Sequence, residues 1–222
     1  MPSDSATKWP AHTLLGRLQE PQVTQLLGLG RSQQFEAGQT LLRQGDRERC
    51  TYVLLDGMAK VIVIEDGFEA VVALRGRGDV VGELAAVTGK PRTASIVAGL
   101  PGNARVISGT MFAGFLDRNP SVARELIGVQ AERLTWANRR RAEFANRSAQ
   151  VRIERTLAEL ARTFGPAGDP VDIPLSQREL ASLVGARLRA TEVALKMIED
   201  RGALLRRYRI VTIVDRGRLA KP

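Results

Sequence analysis

The strongest chemical signal in the sequence is the run 82–94, in which an acidic residue, Glu83, precedes a basic one, Arg92, by nine positions. A helical turn that opens at Glu83 would present free backbone N–H groups to a phosphate. Arg92 can donate two parallel hydrogen bonds to phosphate oxygens, Thr93 adds a hydroxyl, and Glu83 can accept from a ribose hydroxyl. The run therefore predicts a site for an anionic nucleotide, whereas Glu83 and Arg92 by themselves would indicate only a surface ion pair.

Short β-type runs surround this candidate site. Residues 35–115 are rich in glycine, and turn signals such as Asp56-Gly57 separate the apolar runs. The runs lie at 52–55, 59–64, 69–74, 94–98 and 104–108. Many short strands at even spacing predict an antiparallel β-barrel or jelly roll. A short helical stretch at 13–30 is expected to precede it.

A long helix is predicted over 120–146, where no proline follows Pro120 and the apolar residues form two stripes. One stripe holds Val122, Leu126, Val129 and Trp136, and the other holds Ile127, Leu134, Ala137 and Phe144. One stripe can cover the barrel, so the other needs a partner. A second copy of the same helix is the simplest one, which predicts a homodimer. The alternative is a single long helix that lies across its own domain.

The last third of the chain has the outline of a winged helix-turn-helix. Ser148 is a candidate N-cap for a helix at 149–163, and a Gly/Pro-rich loop at 165–170 leads to a short strand at 171–173. Two helices and two β-runs, 203–207 and 209–214, complete the module. A capping-box pattern, Ser176-x-x-Glu179, opens the first helix, and Gly185 permits the turn to the second, at about 187–200. The second helix is expected to bury Leu188, Thr191, Leu195 and Ile198.

Charge and position predict that this module binds double-stranded DNA. The net charge of +9 favours a polyanionic partner. A helix-turn-helix inserts the start of its second helix into the major groove, where arginine can bind guanine with two N–H groups. The candidate DNA contacts are Ser176, Gln177, Arg178, Arg187, Arg189, Glu192 and Arg207. Two alternatives stay open: Arg187 and Arg189 contact only phosphates, or the winged helix binds a protein.

Composition excludes several other classes of protein. The chain has 222 residues with one cysteine, Cys50, and one histidine, His12, so zinc fingers, iron–sulfur clusters and histidine-rich metal centres are not expected. No Ser/His/Asp set and no G-x-x-x-x-G-K-[ST] loop is recognisable, and we expect no enzyme activity. No apolar run approaches the ~18 residues of a membrane span, no secretory signal is recognisable, and a lone cysteine fits a reducing cytoplasm.

Together these motifs resemble the bacterial cyclic-AMP receptor protein (CRP)/FNR superfamily of transcription regulators. The run GELA followed by RTA is similar to the superfamily's cyclic-nucleotide cassette, and LSQRELASLVGA with ALKMIEDRG is similar to its winged helix-turn-helix. Its barrel landmarks are matched by Phe35-x-x-Gly38, Gly45-Asp46 and Tyr52-x-x-x-x-Gly57. The resemblance covers almost the whole chain. It implies a cytoplasmic homodimer on a pseudo-palindromic DNA operator, without membrane attachment, and RNA polymerase is left open as a further partner.

The resemblance also implies which residues hold the effector, a cyclic nucleotide, with cyclic AMP favoured over cyclic GMP. The implied contacts are Gly82, Glu83, Leu84, Ala85, Arg92, Thr93, Arg133, Ala137 and Asn138. Asn138 keeps an amide that can pair with an adenine edge, whereas Ala137 does not. FNR-type members hold an iron–sulfur cluster through several cysteines, and haem-based members use a histidine within the barrel. Neither cofactor is therefore expected here, and no metal is expected either.

The recognition helix departs from the family pattern. Leu188 and Arg189 stand where the family commonly has an arginine and a glutamate that read the half-site, so the family's usual operator is not expected.

The sequence thus predicts an α+β fold with three parts. These are a cyclic-nucleotide-binding β-barrel or jelly roll at 1–118, a dimerisation helix and hinge at 119–147, and a winged helix-turn-helix DNA-binding domain at 148–222. The expected function is DNA-binding transcription regulation under allosteric control by the nucleotide. One alternative keeps DNA binding but makes the barrel a structural domain with no effector or a non-nucleotide effector. Another is a cyclic-nucleotide module that regulates a protein partner through its tail.

Overall fold

The computed structural model describes residues 9–165 and 170–219, which form two units. The chain divides within its long helix: one unit comprises residues up to Leu134 except Ala70–Val72, and the other comprises Ala70–Val72 with the residues from Thr135 onward. The elements of the first unit, in chain order, are α1 (Leu14–Arg17), α2 (Glu20–Leu27), β1 (Arg31–Phe35), β2 (Thr40–Leu42), β3 (Thr51–Leu54), β4 (Met58–Glu65), β5 (Phe68–Gly76), β6 (Val80–Val81), α3 (Glu83–Thr88), β7 (Ser95–Leu100), β8 (Gly102–Ile107) and α4 (Gly109–Arg118).

The strands of the first unit form two four-stranded sheets, ordered β1-β8-β3-β6 and β2-β7-β4-β5. The pairs β1–β8, β3–β8, β3–β6, β2–β7 and β4–β7 are antiparallel. Phe35, Leu54 and Ala98 belong to one buried apolar cluster, and Leu26, Phe112 and Val122 belong to a second one that includes helical residues. This is the predicted jelly roll, built as a β-sandwich.

Every β-type run in the sequence lies largely within a strand, but four described elements of the first unit were not predicted: β1, β2, β6 and α4. Strand β1 reads RSQQF and buries only Phe35, so its apolar pattern is too weak to recognise. Helix α4 starts at an N-cap, Ser108, and buries Phe112, Phe115 and Leu116. Its two glycines lower its intrinsic helix propensity, and packing overrides them.

The long helix α5 runs from Pro120 to Asn146, the range expected from the sequence. Val122, Leu126 and Val129 of the first predicted stripe are buried. On the second stripe, Ile127 and Leu134 remain 67% and 62% exposed, and Phe144 is also exposed. The helix therefore covers its own core with one face only.

The second unit contains α6 (Ala149–Phe164), β9 (Val171–Ile173), α7 (Gln177–Val184), α8 (Leu188–Asp200), β10 (Leu204–Arg207) and β11 (Ile210–Ile213). The strands form a small antiparallel sheet in the order β10-β11-β9. Ser148 caps α6 as predicted. The capping box also forms, since the Ser176 N–H donates to the Glu179 carboxylate at 2.7 Å and the Glu179 N–H donates to the Ser176 hydroxyl at 3.2 Å. Within the predicted loop 165–170, residues 166–169 lie outside the described part of the chain.

In the residues that the structure describes, no helix combines the length and the apolar character needed to cross a bilayer.

Candidate functional site

A cavity in the β-sandwich unit brings the cassette residues together. Its lining includes six of the predicted contacts: Gly82, Glu83, Leu84, Ala85, Arg92 and Thr93. Leu42, Val61, Val81 and Ile96 supply apolar walls, and Arg75 and Ala94 complete the lining. Glu83 and Arg92 are each only 4% exposed, so a negative and a positive group are held in one largely desolvated place. Buried charges of this kind require fixed partners.

Arg92 is fixed by backbone carbonyls. Its guanidinium donates to the Gly82 carbonyl at 2.6 Å and to the Cys50 carbonyl at 2.5 Å. Among the described residues, no partner accepts from its buried Nε. Gly82 has φ +80°, and a Cβ there would lie 2.5 Å from Arg92 Nη1, so a larger residue would displace the arginine. The Arg92 guanidinium is therefore held beside the cassette, and its Nε–H is free to donate to a ligand.

Glu83 is fixed by two side chains of α5. Gln130 Nε2 donates to Glu83 Oε1 at 2.6 Å, and Arg133 Nη1 donates to the same oxygen at 3.0 Å. Arg133 Nη2 also donates to Asp79 at 3.0 Å and to the Val80 carbonyl at 3.1 Å. The predicted ligand contact Arg133 therefore bonds to the cassette glutamate. Gln130 and Asp79 were not identified from the sequence.

Ala137 and Asn138, the residues implied for base contact, are exposed on α5 and belong to the second unit. In the described chain, the residues that line the cavity include neither of them. Their contact with a nucleotide stays a prediction.

Arg75 is a cavity residue that sequence reasoning missed. Burial, reinforced by the positive charge of Arg133, lowers the pKa of Arg75 to about 10, against the opposing effect of Asp79 and Glu83. The group is therefore still a cation at neutral pH. The two-residue period of β5 could have predicted this position. Ala73 is buried, and Arg75, two positions further on, lies on the same face of the strand.

The candidate DNA contacts occupy the start of α8, the start of α7 and the wing, which is the hairpin formed by β10 and β11. Arg187, Arg189 and Glu192 are exposed at the start of α8. Ser176 is the N-cap of α7, Gln177 is partly buried and Arg178 is exposed. Arg207 in the wing is exposed and 4.0 Å from Asp172. The structure thus presents these cations to solvent, and their contact with DNA stays a prediction.

The predicted inward face of α8 needs one correction. Thr191, Leu195 and Ile198 are fully buried as expected, but Leu188 is 37% exposed. Leu188 is the first residue of α8, and the burial starts one turn later, at Thr191. An apolar side chain therefore stands between the two exposed arginines of the recognition helix.

A second arginine of the wing, Arg206, has a structural role. The Arg206 N–H and its Nε donate to the Glu199 carboxylate at 3.0 and 2.8 Å. These hydrogen bonds lower the pKa of Glu199. Arg206 therefore links β10 to α8 through these hydrogen bonds. Tyr208, at the tip of the hairpin, is 88% exposed.

Arg152, also missed from the sequence, fastens the helix-turn-helix to α6. It is buried and donates to the carbonyls of Arg147, Val184 and Gly185 at 2.7, 3.0 and 2.8 Å. Two of these acceptors end α7, where carbonyls have no helical partner. The guanidinium thus acts as a tertiary cap for the turn between α7 and α8.

Replacing Arg152 with Met is expected to lower the free energy of unfolding by about 3 kcal/mol, because three carbonyls lose charged donors. Urea unfolding followed by circular dichroism measures this change. Arg162→Met, at an exposed position of the same helix, is the matched control and should leave the midpoint nearly unchanged. Equal midpoints for the two variants would contradict the capping role.

Comparison with protein families matches both halves of the chain. The cyclic nucleotide-binding domain model matches residues 32–119, and the Crp-like helix-turn-helix domain model matches residues 151–221. A sandwich with a nucleotide cassette, joined to this DNA-binding module, defines a DNA-binding regulator with a sensor domain. The chain belongs to the CRP/FNR family of transcription regulators. The prediction that it is not an enzyme is thereby confirmed, as is the predicted fold class.

Individual relatives agree with this assignment. The chain is 28% identical over 191 residues to the CRP-like cAMP-activated global transcriptional regulator of Mycobacterium tuberculosis, covering 84% of this chain and 85% of the relative. It is 26% identical over 196 residues to the cAMP-activated global transcriptional regulator CRP of Salmonella typhimurium, covering 86% and 93%.

Solved structures show the same fold. The c-di-GMP-responsive regulator CLP of Xanthomonas campestris matches with a TM-score of 0.69 at 24% identity, covering 88% of this chain and 99% of that one. FixK2 of Bradyrhizobium japonicum matches with a TM-score of 0.73 at 20% identity, covering 86% and 96%.

Proposed function

We propose that this regulator is a cytoplasmic homodimer whose sensor cavity binds a cyclic nucleotide and thereby sets the position of its DNA-binding helices. The observation that carries the proposal is the cavity in which Arg92, Glu83 and Thr93 converge on apolar walls. Arg92 would bind the cyclic phosphate together with the Thr93 hydroxyl and the backbone of 82–85. Glu83 would accept a hydrogen bond from the ribose hydroxyl.

Cyclic AMP is the effector that the curated relatives favour. Both relatives described above are named as cAMP-activated regulators. In the proposed complex, Asn138 and the backbone near Ala137 would lie near the base, one of them from the partner subunit.

The hydrogen bonds of Glu83 supply a route from the cavity to α5. Gln130 and Arg133 of α5 both donate to one oxygen of Glu83. A ribose hydroxyl that donates to the same carboxylate would compete with these two hydrogen bonds and so alter the contact between α5 and the cassette. A ligand shifts an equilibrium only by binding its two states differently, and this shared oxygen supplies such a difference. The proposed domain limits, 1–118, 119–147 and 148–222, place the hinge for this movement at the end of α5.

The exposed stripe of α5 supports the homodimer. Ile127 and Leu134 are large exposed apolar side chains on a helix whose other face buries Val122, Leu126 and Val129. Pairing with a second copy removes this surface from water. Two recognition helices about 34 Å apart would then read a pseudo-palindromic operator.

Selection from a random DNA duplex library, followed by fluorescence anisotropy with and without cyclic nucleotide, tests the proposal. We expect the nucleotide to change the DNA affinity by about tenfold, and the affinity to fall steeply between low and moderate salt. An affinity that the nucleotide does not change would favour a barrel with a purely structural role or another effector. Failure to bind any duplex at low salt would favour a tail that regulates a protein partner.

A further inference from the structure

The sensor cavity, lined by the cassette residues, contains a second cation, Arg75, which forms no salt bridge among the described residues. In the described part of the chain, the one hydrogen bond of Arg75 runs from Nη1 to the carbonyl of its own neighbour Leu74, at 2.8 Å. Its other guanidinium donors meet no carboxylate within salt-bridge distance, although Asp79 and Glu83 are close enough to affect its pKa. Arg75 is partly buried and lines the cavity, so a ligand that enters the cavity can reach its remaining donors.

The other two arginines near the cassette already have assigned contacts, because Arg92 binds the cyclic phosphate in the proposed function and Arg133 bonds to carboxylates. Arg92 donates to the carbonyls of Gly82 and Cys50, and Arg133 is bonded to Glu83 and Asp79. Arg75 therefore differs from both, because most of its donors are free for a molecule in the cavity.

The surroundings of Arg75 suit the base of a nucleotide. Leu42, Val61, Val81 and Ile96 line the same cavity and offer apolar surface to a flat ring. Arg92 and Thr93 hold the phosphate in the proposed function, and Glu83 holds the ribose. Arg75 is then the cavity's remaining charged group, and the base is the remaining part of the ligand.

We infer that Arg75 contacts the base and makes the cavity of this chain select cyclic GMP over cyclic AMP, the nucleotide named for the relatives. This inference rests on the proposed function. Guanine presents two adjacent acceptors, O6 and N7, that match the paired donors of a guanidinium. Adenine presents the acceptor N7 beside its 6-amino group, which is a donor. One N–H of the arginine would then face another donor and form no hydrogen bond. The preference for cyclic GMP therefore follows from the hydrogen-bonding groups that each base presents to Arg75.

Calorimetric titration of the full-length protein with cyclic GMP, cyclic AMP and cyclic IMP tests the inference. Wild-type protein should bind cyclic GMP at least about tenfold more tightly than cyclic AMP. Cyclic IMP keeps O6 and N7 but lacks the 2-amino group, so it should bind like cyclic GMP. The ligand series needs no variant, and its outcome does not depend on whether a substitution is tolerated.

Variants then assign the selectivity to this residue. Arg75→Leu should bring the ratio of the two dissociation constants to about one or invert it. Arg75→Lys, which keeps the charge but loses the paired donors, should also lose most of the preference. Arg43→Leu removes an exposed arginine outside the cavity lining and should leave the ratio unchanged.

The outcomes separate this inference from the function on which it rests. Equal or tighter binding of cyclic AMP by the wild type, or a ratio that Arg75→Leu does not change, overturns the inference alone. Binding of none of the three nucleotides overturns the proposed function, and the inference with it.

Discussion

Replacing Arg92 with Ala is expected to raise the dissociation constant for the cyclic nucleotide by about 100-fold or more. The cyclic phosphate carries the ligand's negative charge, and Arg92 is the cassette cation that meets it in the proposed complex. Loss of two charge-assisted hydrogen bonds costs about 3 kcal/mol, which corresponds to about two decades in affinity. Calorimetric titration of the wild type and the variant with the same nucleotide measures the change.

Two controls make the Arg92 result specific. Arg43→Ala removes an exposed arginine from the same unit and should bind as the wild type does. Thermal melting shows whether the Arg92 variant stays folded, because the arginine also holds the carbonyls of Gly82 and Cys50. A folded Arg92→Ala protein with an unchanged dissociation constant would contradict the assigned phosphate contact.

The second large effect is expected at the exposed face of α5. The double substitution Ile127→Glu with Leu134→Glu should convert the dimer into a monomer, because two like-charged rows would replace apolar surface that pairs with itself. Loss of the second recognition helix should then weaken operator binding by about 100-fold or more, since linked half-sites add that much avidity. Sedimentation velocity and DNA anisotropy measure the two effects.

The matched control for this variant is Ile127→Met with Leu134→Met, which keeps both positions apolar and should remain dimeric. Nucleotide binding by the glutamate variant reports whether the sensor unit is still folded. A glutamate variant that sediments as a dimer would show that this face of α5 is not the interface.

Local patterns determined a large part of this protein. The capping box at Ser176, the proline that opens α5 and the run of turn signals between strands act through neighbours a few residues away. Such patterns also identified the cassette, because Gly82, Glu83 and Arg92 are close in the chain. The bounds of α5 and the position of β9 followed for the same reason. The β-sandwich, the winged module and their order were therefore predictable.

The tertiary structure alone decided how the charges are partnered. Arg133 and Asp79 are 54 positions apart, and Arg152 reaches Gly185 over 33 positions. Neither pairing leaves a local pattern, since any surface arginine has the same sequence signature until folding buries it. The cavity role of Arg75 depends in the same way on Val61 and Ile96, which come from other strands. The sequence by itself determined which segments are strands, helices and cassette. The close approach of distant side chains decided that Arg133 and Arg152 bond to other parts of the fold, whereas Arg75 keeps donors for a ligand beside Arg92.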